Sequence, residues 1–332
     1  MNLAQEMQRG LKQRAQGRVR GRYAPSPTGD LHLGNIRAAL YAWLHSRCLE
    51  GDCILRIEDL DQGRCKDGYE EQMLQDLQWL GFTFDEGVEE GGEFGPYRQS
   101  ERITLYEQAL ELLKSQQRVY PCYCTRREMQ ARASRSASGE YVYDGRCKRL
   151  SAEELAELAR TRRPAWRFCV DHGEVTIQDG FKGELVQDVS REVGDFVVRR
   201  RDGIFSYQLA VVVDDICMGV TDIVRGEDLY ESSPRQVLLY RAFGTTAPRF
   251  WHIPLVLNQE GHKLSKRDRA HGVRGWVDEH GSHDQGRFFG AIVEAMGWQC
   301  GESLTLENIY QHACVSGMCD TWREAKGRLE NK

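Results

Sequence analysis

Apolar and polar positions follow two different periods along the first part of the chain. The segments GRVRGRY and DCILRIED are predicted to be strands. Between them, apolar residues recur at the three- and four-residue spacing of one helix face, at Ile36, Ala39, Leu40, Trp43 and Leu44. A strand, a helix and a second strand in this order are typical of a β-α-β unit. The pattern therefore predicts an α/β fold with a parallel sheet.

Two amphipathic helices are predicted after this unit. The first, GYEEQMLQDLQWLG, ends at Gly81, and the second, ERITLYEQALELLKSQQ, has Ser100 as its N-cap. From residue 120 to about 190 the pattern breaks into short, turn-rich pieces, which indicates an insertion.

Regular order returns after residue 190. The apolar segment SYQLAVVVDD is interpreted as a strand, Pro234 and Gly244 bound a helix, and FWHIPLVL is a further strand. This organisation predicts five regions: a flexible extension (1–17), two halves of one α/β domain (18–119 and 191–270), an insertion (120–190) and a C-terminal helical region (271–332).

The composition narrows the class of protein. With 40% apolar and 29% charged residues over 332 positions, the chain has the composition of a globular protein. It has no run of about 18 apolar residues, and its first 17 residues lack the apolar centre of a secretion signal. We therefore expect a cytoplasmic protein without membrane segments, and a monomer as the simplest oligomeric state.

Charge and cysteine content exclude two further classes. A formal net charge of −5 excludes a generally basic nucleic-acid coat, although the arginines of TRREMQARASR and VVRRRDG allow a local basic face. Eleven cysteines scattered over a chain of this length do not indicate a disulfide framework. We expect most of them to be buried thiols.

The stretch RYAPSPTGDLHLGN, residues 22–35, joins the first predicted strand to its helix. Its two prolines fix backbone angles, and its glycines leave room for a ligand against the backbone. A helix beginning near Asn35 directs free N–H groups into the same space, where His32 adds a donor for phosphate oxygens. The stretch predicts a phosphate site; the alternative is a plain turn with His32 on the surface.

The segment KLSKR, residues 263–267, is a second candidate for phosphate chemistry. Lys263 and Lys266 can bracket a polyphosphate and stabilise its charge as it leaves. Taken alone, such a loop is more often solvated surface. Its occurrence together with the proline-rich corner, at opposite ends of one α/β domain, favours a nucleotide site.

These motifs resemble the HIGH and KMSKS signatures of the class I aminoacyl-tRNA synthetases. The segments RYAPSPTGDLHLGN, ILRIEDLD, SYQLAVVVDD, VRGEDLYESSPRQ and KLSKR follow the glutamyl branch of that family over residues 18–270. Asn35 replaces the last histidine of the first signature. The resemblance implies a Rossmann-like catalytic domain that uses ATP, with Mg²⁺, to convert L-glutamate into glutamyl-adenylate.

The resemblance also assigns site residues. Glutamate needs arginines for its carboxylates and an acid for its ammonium group. Positions that contact glutamate in the family are matched by Arg22, Tyr23, Ala24, Pro25, Ser26, Glu58, Tyr207 and Arg225. ATP positions are matched by His32, Gly34, Asn35, Lys263, Ser265 and Lys266, and the catalytic residues among them are His32, Lys263 and Lys266. Glu58 is expected to take the ammonium group; which arginine takes which carboxylate stays open.

The chain ends about 65 residues after KLSKR, whereas full-length glutamyl enzymes carry a long anticodon-binding region. It therefore resembles a short branch of the family, which attaches glutamate to the queuosine base in the anticodon of tRNA(Asp). That branch has a Cys-x-Cys and a Tyr-x-x-x-Cys arrangement for one structural zinc ion, matched here by Cys122, Cys124, Tyr143 and Cys147. Thiolates are good Zn²⁺ ligands. The alternative is a set of unrelated core cysteines.

Two other functions stay open at this point. One is a short synthetase that charges the 3′ end of tRNA(Glu) or tRNA(Gln). The other is a non-catalytic tRNA-binding protein, which would have no need for His32, Lys263 and Lys266.

Several other polar residues receive structural interpretations. Asp59 and Asp61 are interpreted as solvated acids or helix caps rather than a hydrolase pair, and Asp214 and Asp215 as structural acids at a strand end. The C-terminal cysteines are interpreted as helical core rather than a second metal site: Cys300, Cys314 and Cys319.

Overall fold

The computed structural model describes residues 1–132, 134–135, 141–255, 273–280, 285–295 and 304–330. Its strands are β1 (Arg20–Tyr23), β2 (Asp52–Leu55), β3 (Val119–Cys122), β4 (Ser134–Arg135), β5 (Tyr141–Val142), β6 (Ala165–Phe168), β7 (Glu174–Asp179), β8 (Gly183–Asp188), β9 (Phe196–Arg199), β10 (Asp222–Gly226) and β11 (Arg249–Ile253). Its α-helices are α1 (Leu3–Arg14), α2 (Leu33–Cys48), α3 (Tyr69–Trp79), α4 (Ile103–Ser115), α5 (Arg126–Gln130), α6 (Ala152–Thr161), α7 (Val189–Glu192), α8 (Tyr207–Cys217), α9 (Ser233–Ala242), α10 (Val273–His280), α11 (Gln285–Ala295), α12 (Leu306–Val315) and α13 (Met318–Glu330).

Parallel strands form the centre of the fold. β1 pairs with β2, and β10 pairs with β11, both in parallel. The backbone N–H of Thr221, just before β10, donates to the carbonyl of Arg20 at 2.9 Å, which places β1 beside β10. Helix α2 crosses from β1 to β2, so the predicted β-α-β unit is confirmed. The α/β fold with parallel strands is confirmed with it.

The insertion contributes to the central sheet as well as forming a small unit of its own. β3, β6 and β9 make an antiparallel sheet. The β7–β8 hairpin instead extends the central sheet, because Asp179 at the end of β7 pairs in parallel with Phe250 of β11. The pieces between residues 120 and 190 are therefore built onto the edge of the α/β domain.

The segment SYQLAVVVDD is a helix, and its interpretation as a strand is wrong. α8 begins at Tyr207, after Ser206 caps it by accepting from the backbone N–H of Leu209. Every residue from Leu209 to Cys217 is buried. A helix buried on all sides has no polar face, so periodicity could not separate it from a buried strand.

The first 17 residues, predicted as a flexible extension, contain helix α1 instead. Leu3 and Met7 are buried in the same core cluster as α8. Gly10 lets the two helices approach closely, because a Cβ at this position would lie 1.9 Å from the carbonyl oxygen of Ile216. The segment is polar on average, yet one side of it is packed on the domain.

Helix boundaries follow the predicted signals in two cases and depart from them in a third. α9 has Pro234 in its first turn and is followed by Gly244 at φ +73°, as predicted. α3 ends near Gly81, at φ +79°. Ser100 does not cap α4: it lies in a 3-10 turn over Gln99–Arg102, where its backbone N–H donates to Asp59 Oδ1 at 2.8 Å.

Helices α12 and α13 pack on α2, in the core cluster that also holds Trp322. A disulfide between Cys48 and Cys319 joins the end of α2 to α13. Cys314 Sγ lies 3.5 Å from Cys319 Sγ. This pair is an exception to the expectation that most cysteines are buried thiols, because the fold brings together two cysteines 271 positions apart. Cys300 lies outside the described residues.

Among the helices that the structure describes, none is both long enough and apolar enough to cross a membrane.

The close approach of α1 to α8 predicts that Gly10→Ala destabilises the packed N-terminal helix. Alanine favours helices by about 1 kcal/mol over glycine, but here its Cβ meets the backbone of α8, and overpacking costs about 1–3 kcal/mol. Hydrogen exchange of the amides in α1 should become faster. The matched control is Gly290→Ala in α11, where a Cβ meets nothing within 4 Å; unchanged exchange in α1 of Gly10→Ala would contradict the packing described here.

Candidate active site

A cavity of about 710 Å³ opens at the carboxyl ends of the parallel strands, where ligands bind in open α/β sheets. Residues from both halves of the α/β domain line it. All predicted glutamate positions and the described ATP positions are among them: Arg22, Tyr23, Ala24, Pro25, Ser26, His32, Gly34, Asn35, Glu58, Tyr207 and Arg225. The fold thus brings these residues together, while their roles toward a substrate stay predictions.

His32 is the N-cap of α2 and faces the cavity. Its Nδ1 accepts from the backbone N–H of Asn35 at 3.3 Å, and the Asn35 side chain accepts from the backbone N–H of His32 at 3.3 Å. This reciprocal pair is a capping box. Because Nδ1 is an acceptor, a neutral His32 carries its ring proton on Nε2. The backbone N–H of Asn35 therefore fixes the tautomer of His32, while the Asn35 side chain, which departs from the family signature, completes the capping box.

The floor of the cavity is a buried network of opposite charges. Arg56 is fully buried; its Nη1 lies 2.7 Å from Asp215 Oδ1 and its Nη2 lies 3.1 Å from Glu58 Oε1. Arg22 donates to the carbonyl of Val224 at 3.2 Å, and its Nε lies 3.6 Å from Asp215. Burial raises the pKa of Glu58, although Arg56 and Arg22 act to lower it. A cationic group placed beside Glu58 would favour its ionised form.

Arg225 and Tyr207 form the opposite wall. Arg225, on β10, is buried and donates from Nη1 to the Tyr207 hydroxyl at 3.2 Å. Its Nη2 donates to Ser233 Oγ at 2.7 Å. Tyr207 lies on the first turn of α8, so its predicted location on a strand is wrong. The side chain still lines the cavity, as predicted.

The acidic pair at the end of α8 has structural partners. Asp214 accepts from Arg102 Nε at 2.6 Å and from Gln99 Nε2 at 2.8 Å, all three side chains being buried. Asp215 holds Arg56. The structural interpretation of both acids is confirmed, and their placement at a strand end is corrected to the end of a helix.

Sequence reasoning missed Arg37. This residue lines the cavity, is only 7% exposed, and its Nε has no hydrogen-bond partner among the described residues. An arginine that lies outside the apolar face of a predicted helix is usually assigned to the solvent face. The available signal was its spacing, because residue 37 lies three positions after Gly34 and so shares its side of α2.

Asp61 and Arg64 also belong to the cavity lining, which the motif analysis did not predict. Asp61 Oδ2 lies 2.8 Å from Arg200 Nη1 at a partly exposed site. It is therefore an ion-paired acid at the edge of the cavity rather than half of a carboxylate pair.

Lys263, Ser265 and Lys266 lie outside the described residues, as do all residues from 256 to 272. Pro254 and Leu255, which directly precede this stretch, line the cavity.

Three cysteines of the insertion converge in a buried cluster that could hold a metal ion. The Sγ atoms of Cys122, Cys124 and Cys147 lie within 4.8 Å of one another. The Tyr143 hydroxyl lies 3.4 Å from Cys122 Sγ and 3.5 Å from Cys124 Sγ. Hydrogen bonds from Cys122 and Tyr143 lower the pKa of Cys147 to about 6, although burial acts to raise it. The alternative of unrelated core cysteines is therefore not supported.

The comparisons with known proteins agree with this geometry. The family described as "tRNA synthetases class I (E and Q), catalytic domain" matches residues 18–325. The chain is 49% identical to a Glutamyl-Q tRNA(Asp) synthetase of Symbiobacterium thermophilum over 254 residues, which are 75% of this chain and 78% of that protein. It is 45% identical to a Glutamyl-Q tRNA(Asp) synthetase of Deinococcus radiodurans over 84% of this chain and 90% of that protein.

Among solved structures, the crystal structure of Glutamate-tRNA Synthetase from Elizabethkingia anophelis aligns with a TM-score of 0.73 at 32% identity. The alignment covers 88% of this chain and 65% of that one. The chain thus spans about two thirds of that synthetase, but most of the length of the two relatives above. The chain belongs to the class I tRNA synthetases of the glutamate and glutamine family.

Proposed function

We propose that this protein activates L-glutamate with ATP and transfers the glutamyl group to the queuosine base in the anticodon of tRNA(Asp). The observation that supports this proposal best is that Glu58, Arg225 and His32 line one cavity. Their side chains suit an ammonium group, a carboxylate and a phosphate, respectively. The choice of acceptor rests on the relatives named Glutamyl-Q tRNA(Asp) synthetase, which this chain matches over most of their length.

In the first step, the α-carboxylate of glutamate attacks the α-phosphorus of ATP. A carboxylate–phosphorus bond forms, the bond to the bridging oxygen breaks, and pyrophosphate leaves with its electron pair. His32 and the N-terminus of α2 line the cavity in which these phosphates are proposed to bind, and His32 Nε2–H with the free N–H groups of α2 stabilises the added charge. Lys263 and Lys266 are proposed to act on the same phosphates, and Gly34, Asn35 and Ser265 to bind the nucleotide.

The glutamate itself is held by groups of opposite charge. Glu58 takes the ammonium group, and Arg225 with Tyr207 takes a carboxylate. Arg22 and the backbone of residues 23–26 close the same part of the cavity. Because the reacting groups are already charged, positioning supplies most of the rate enhancement.

In the second step, a hydroxyl of the queuosine cyclopentene ring attacks the activated carbonyl. An ester bond forms, the acyl–phosphate bond breaks, AMP leaves with the electron pair, and the hydroxyl proton passes to the phosphate of the leaving AMP. This step requires that the anticodon loop of the tRNA reach the open cavity. We propose that the protein acts in the cytoplasm. Mg²⁺ is expected to enter with ATP and to offset the phosphate charge.

One structural zinc ion is proposed for the cysteine cluster, with Cys122, Cys124, Cys147 and Tyr143 as its ligands. Zn–S bonds of about 2.3 Å in a tetrahedron place two sulfur atoms about 3.8 Å apart. Cys124 and Cys147 Sγ lie 3.5 Å apart, so the donor set fits the ion. Zinc here would link the end of β3 and the following turn to Tyr143 and Cys147 without taking part in the chemistry.

The acceptor can be tested with tRNA(Asp) whose terminal adenosine has no 2′ and 3′ hydroxyls. Labelled glutamate and ATP should give labelled RNA when the anticodon contains queuosine and none when it contains guanosine. Because the 3′ end is blocked, any label must lie elsewhere on the RNA. Label that appears only on intact tRNA(Glu) or tRNA(Gln), and only at a free 3′ end, would make the chain a short conventional synthetase and overturn this acceptor.

The proposed role of His32 as a donor to the phosphates can be separated from its role as the N-cap of α2. Asparagine is a good N-cap residue, so His32→Asn should keep α2 folded while it removes the Nε2–H donor. Glutamate-dependent pyrophosphate exchange should fall about 10²- to 10³-fold, the usual loss for a donor to a developing charge.

The matched control for this prediction is His172→Asn, since His172 is an exposed histidine away from the cavity. It should exchange pyrophosphate at the wild-type rate. Equal rates for His32→Asn and His172→Asn would exclude His32 from the chemistry.

Zinc binding can be measured directly. The purified wild-type protein should contain one zinc ion per chain, and Cys122→Ser should contain markedly less, because a serine hydroxyl is a poor Zn²⁺ ligand. Cys53→Ser is the control: Cys53 is a buried free cysteine in β2, outside the cluster. A full complement of zinc in Cys122→Ser would remove Cys122 from the ligand set.

A further inference from the structure

His252 is a fully buried imidazole held between an acid and an arginine. Its Nδ1 lies 2.6 Å from Asp179 Oδ2, and its Nε2 lies 2.9 Å from Arg225 Nε. Arg225 and His252 are register partners on the neighbouring parallel strands β10 and β11. The contact between them follows directly from the pairing of the sheet.

These two contacts of the ring determine the protonation of His252. Arginine Nε carries a hydrogen and can only donate, so Nε2 of His252 must accept. The imidazole proton therefore lies on Nδ1 and is donated to Asp179. Burial lowers the pKa of His252, the charge of Arg225 lowers it further, and Asp179 acts in the opposite direction. The imidazole is thus held neutral, as an acceptor for Arg225.

Asp179 is itself held by the turn between β7 and β8. Its Oδ1 accepts from the backbone N–H groups of Phe181 and Lys182, each at 2.9 Å. Burial alone would raise the pKa of Asp179, but these bonds and the one from His252 lower it overall. The acid is therefore ionised and fixed in position by a hairpin that belongs to the insertion.

The guanidinium of Arg225 is constrained at each of its nitrogens. Nε donates to His252, Nη2 to Ser233 and Nη1 to the Tyr207 hydroxyl. The Tyr207 oxygen accepts from Arg225, so its own proton can be donated elsewhere. The second Nη1 hydrogen and the Tyr207 proton together suit the two oxygens of one carboxylate.

We propose that Asp179 and His252 are positioning residues for glutamate, which hold the guanidinium of Arg225 in the orientation that binds a substrate carboxylate. This inference rests on the proposed function. It adds a chain of hydrogen bonds that runs from Asp179 of the insertion hairpin through His252 to Arg225 and the substrate. Asp179 sets the tautomer of His252, and that tautomer sets the hydrogen bonding of Arg225. Neither residue touches the reacting atoms.

The variant Asp179→Asn tests this chain of hydrogen bonds with almost no change of shape. The asparagine Oδ1 can keep the bonds to Phe181 and Lys182, while its amide group now donates to Nδ1 of His252. The ring proton must then move to Nε2, where it faces the N–H of Arg225. Replacing the acid of an acid–histidine pair by its amide keeps the geometry but leaves the histidine in the wrong tautomer. Losing a hydrogen bond to a charged group should raise KM for glutamate about 10- to 100-fold, with KM for ATP unchanged.

Asp188→Asn is the matched control. Asp188 also lies at the end of a strand of this hairpin, and its Oδ1 also accepts backbone N–H groups, from Ser190 and Arg191, but it does not touch a histidine in any described contact. Its KM for glutamate should equal that of the wild type. His252→Gln is a second variant: its Oε1 can accept from Arg225 near the position of Nε2, so its KM should lie much closer to the wild-type value than that of Asp179→Asn.

A spectroscopic measurement separates positioning from stability. Long-range ¹H–¹⁵N spectra of protein labelled at its nine histidines should show His252 with the proton on Nδ1 in the wild type and on Nε2 in Asp179→Asn. A wild-type Nε2–H tautomer, or a KM for glutamate that Asp179→Asn leaves within twofold, overturns the proposal. A wild-type protein without glutamate-dependent exchange would instead overturn the proposed function, and the tautomer spectra would still decide whether Asp179 controls His252.

Discussion

The fully buried ion pair between Arg56 and Asp215 is the contact on which the site depends. Asp215 belongs to α8 and Arg56 follows β2, so the pair joins the two halves of the α/β domain beneath the cavity. The same arginine holds Glu58, and the same aspartate lies beside Arg22. A buried charge that loses its partner costs about 3–5 kcal/mol. The network therefore keeps two charged side chains of opposite sign at fixed places on the cavity floor.

The cavity combines two kinds of charge control. On one side, the capping box of α2 fixes the tautomer of His32 and turns a helix N-terminus toward phosphate. On the other, β10, β11 and the insertion hairpin hold Arg225. Each side is built from hydrogen bonds that exist before a substrate arrives, so little reorganisation is needed when glutamate and ATP bind.

The sequence predicted the parts of the fold that depend on local patterns, such as the β-α-β unit and the bounds of α9. It failed where tertiary packing decides: α8 is buried on all sides, α1 is polar on average, and the Cys48–Cys319 bond joins distant elements. The residues of the motifs were found because the family resemblance assigns them position by position. Arg37 was missed because only its burial distinguishes it, and the Arg225–His252 contact because it depends on strand register.

The most direct test is a crystal structure of the protein with a non-hydrolysable glutamyl-adenylate analogue. This account predicts the ammonium group of the analogue beside Glu58, a carboxylate on Arg225 and Tyr207, and the phosphate-mimicking group within hydrogen-bonding distance of His32 Nε2. An analogue bound with its glutamyl group away from the Arg56–Asp215 floor, or outside the cavity altogether, would contradict it.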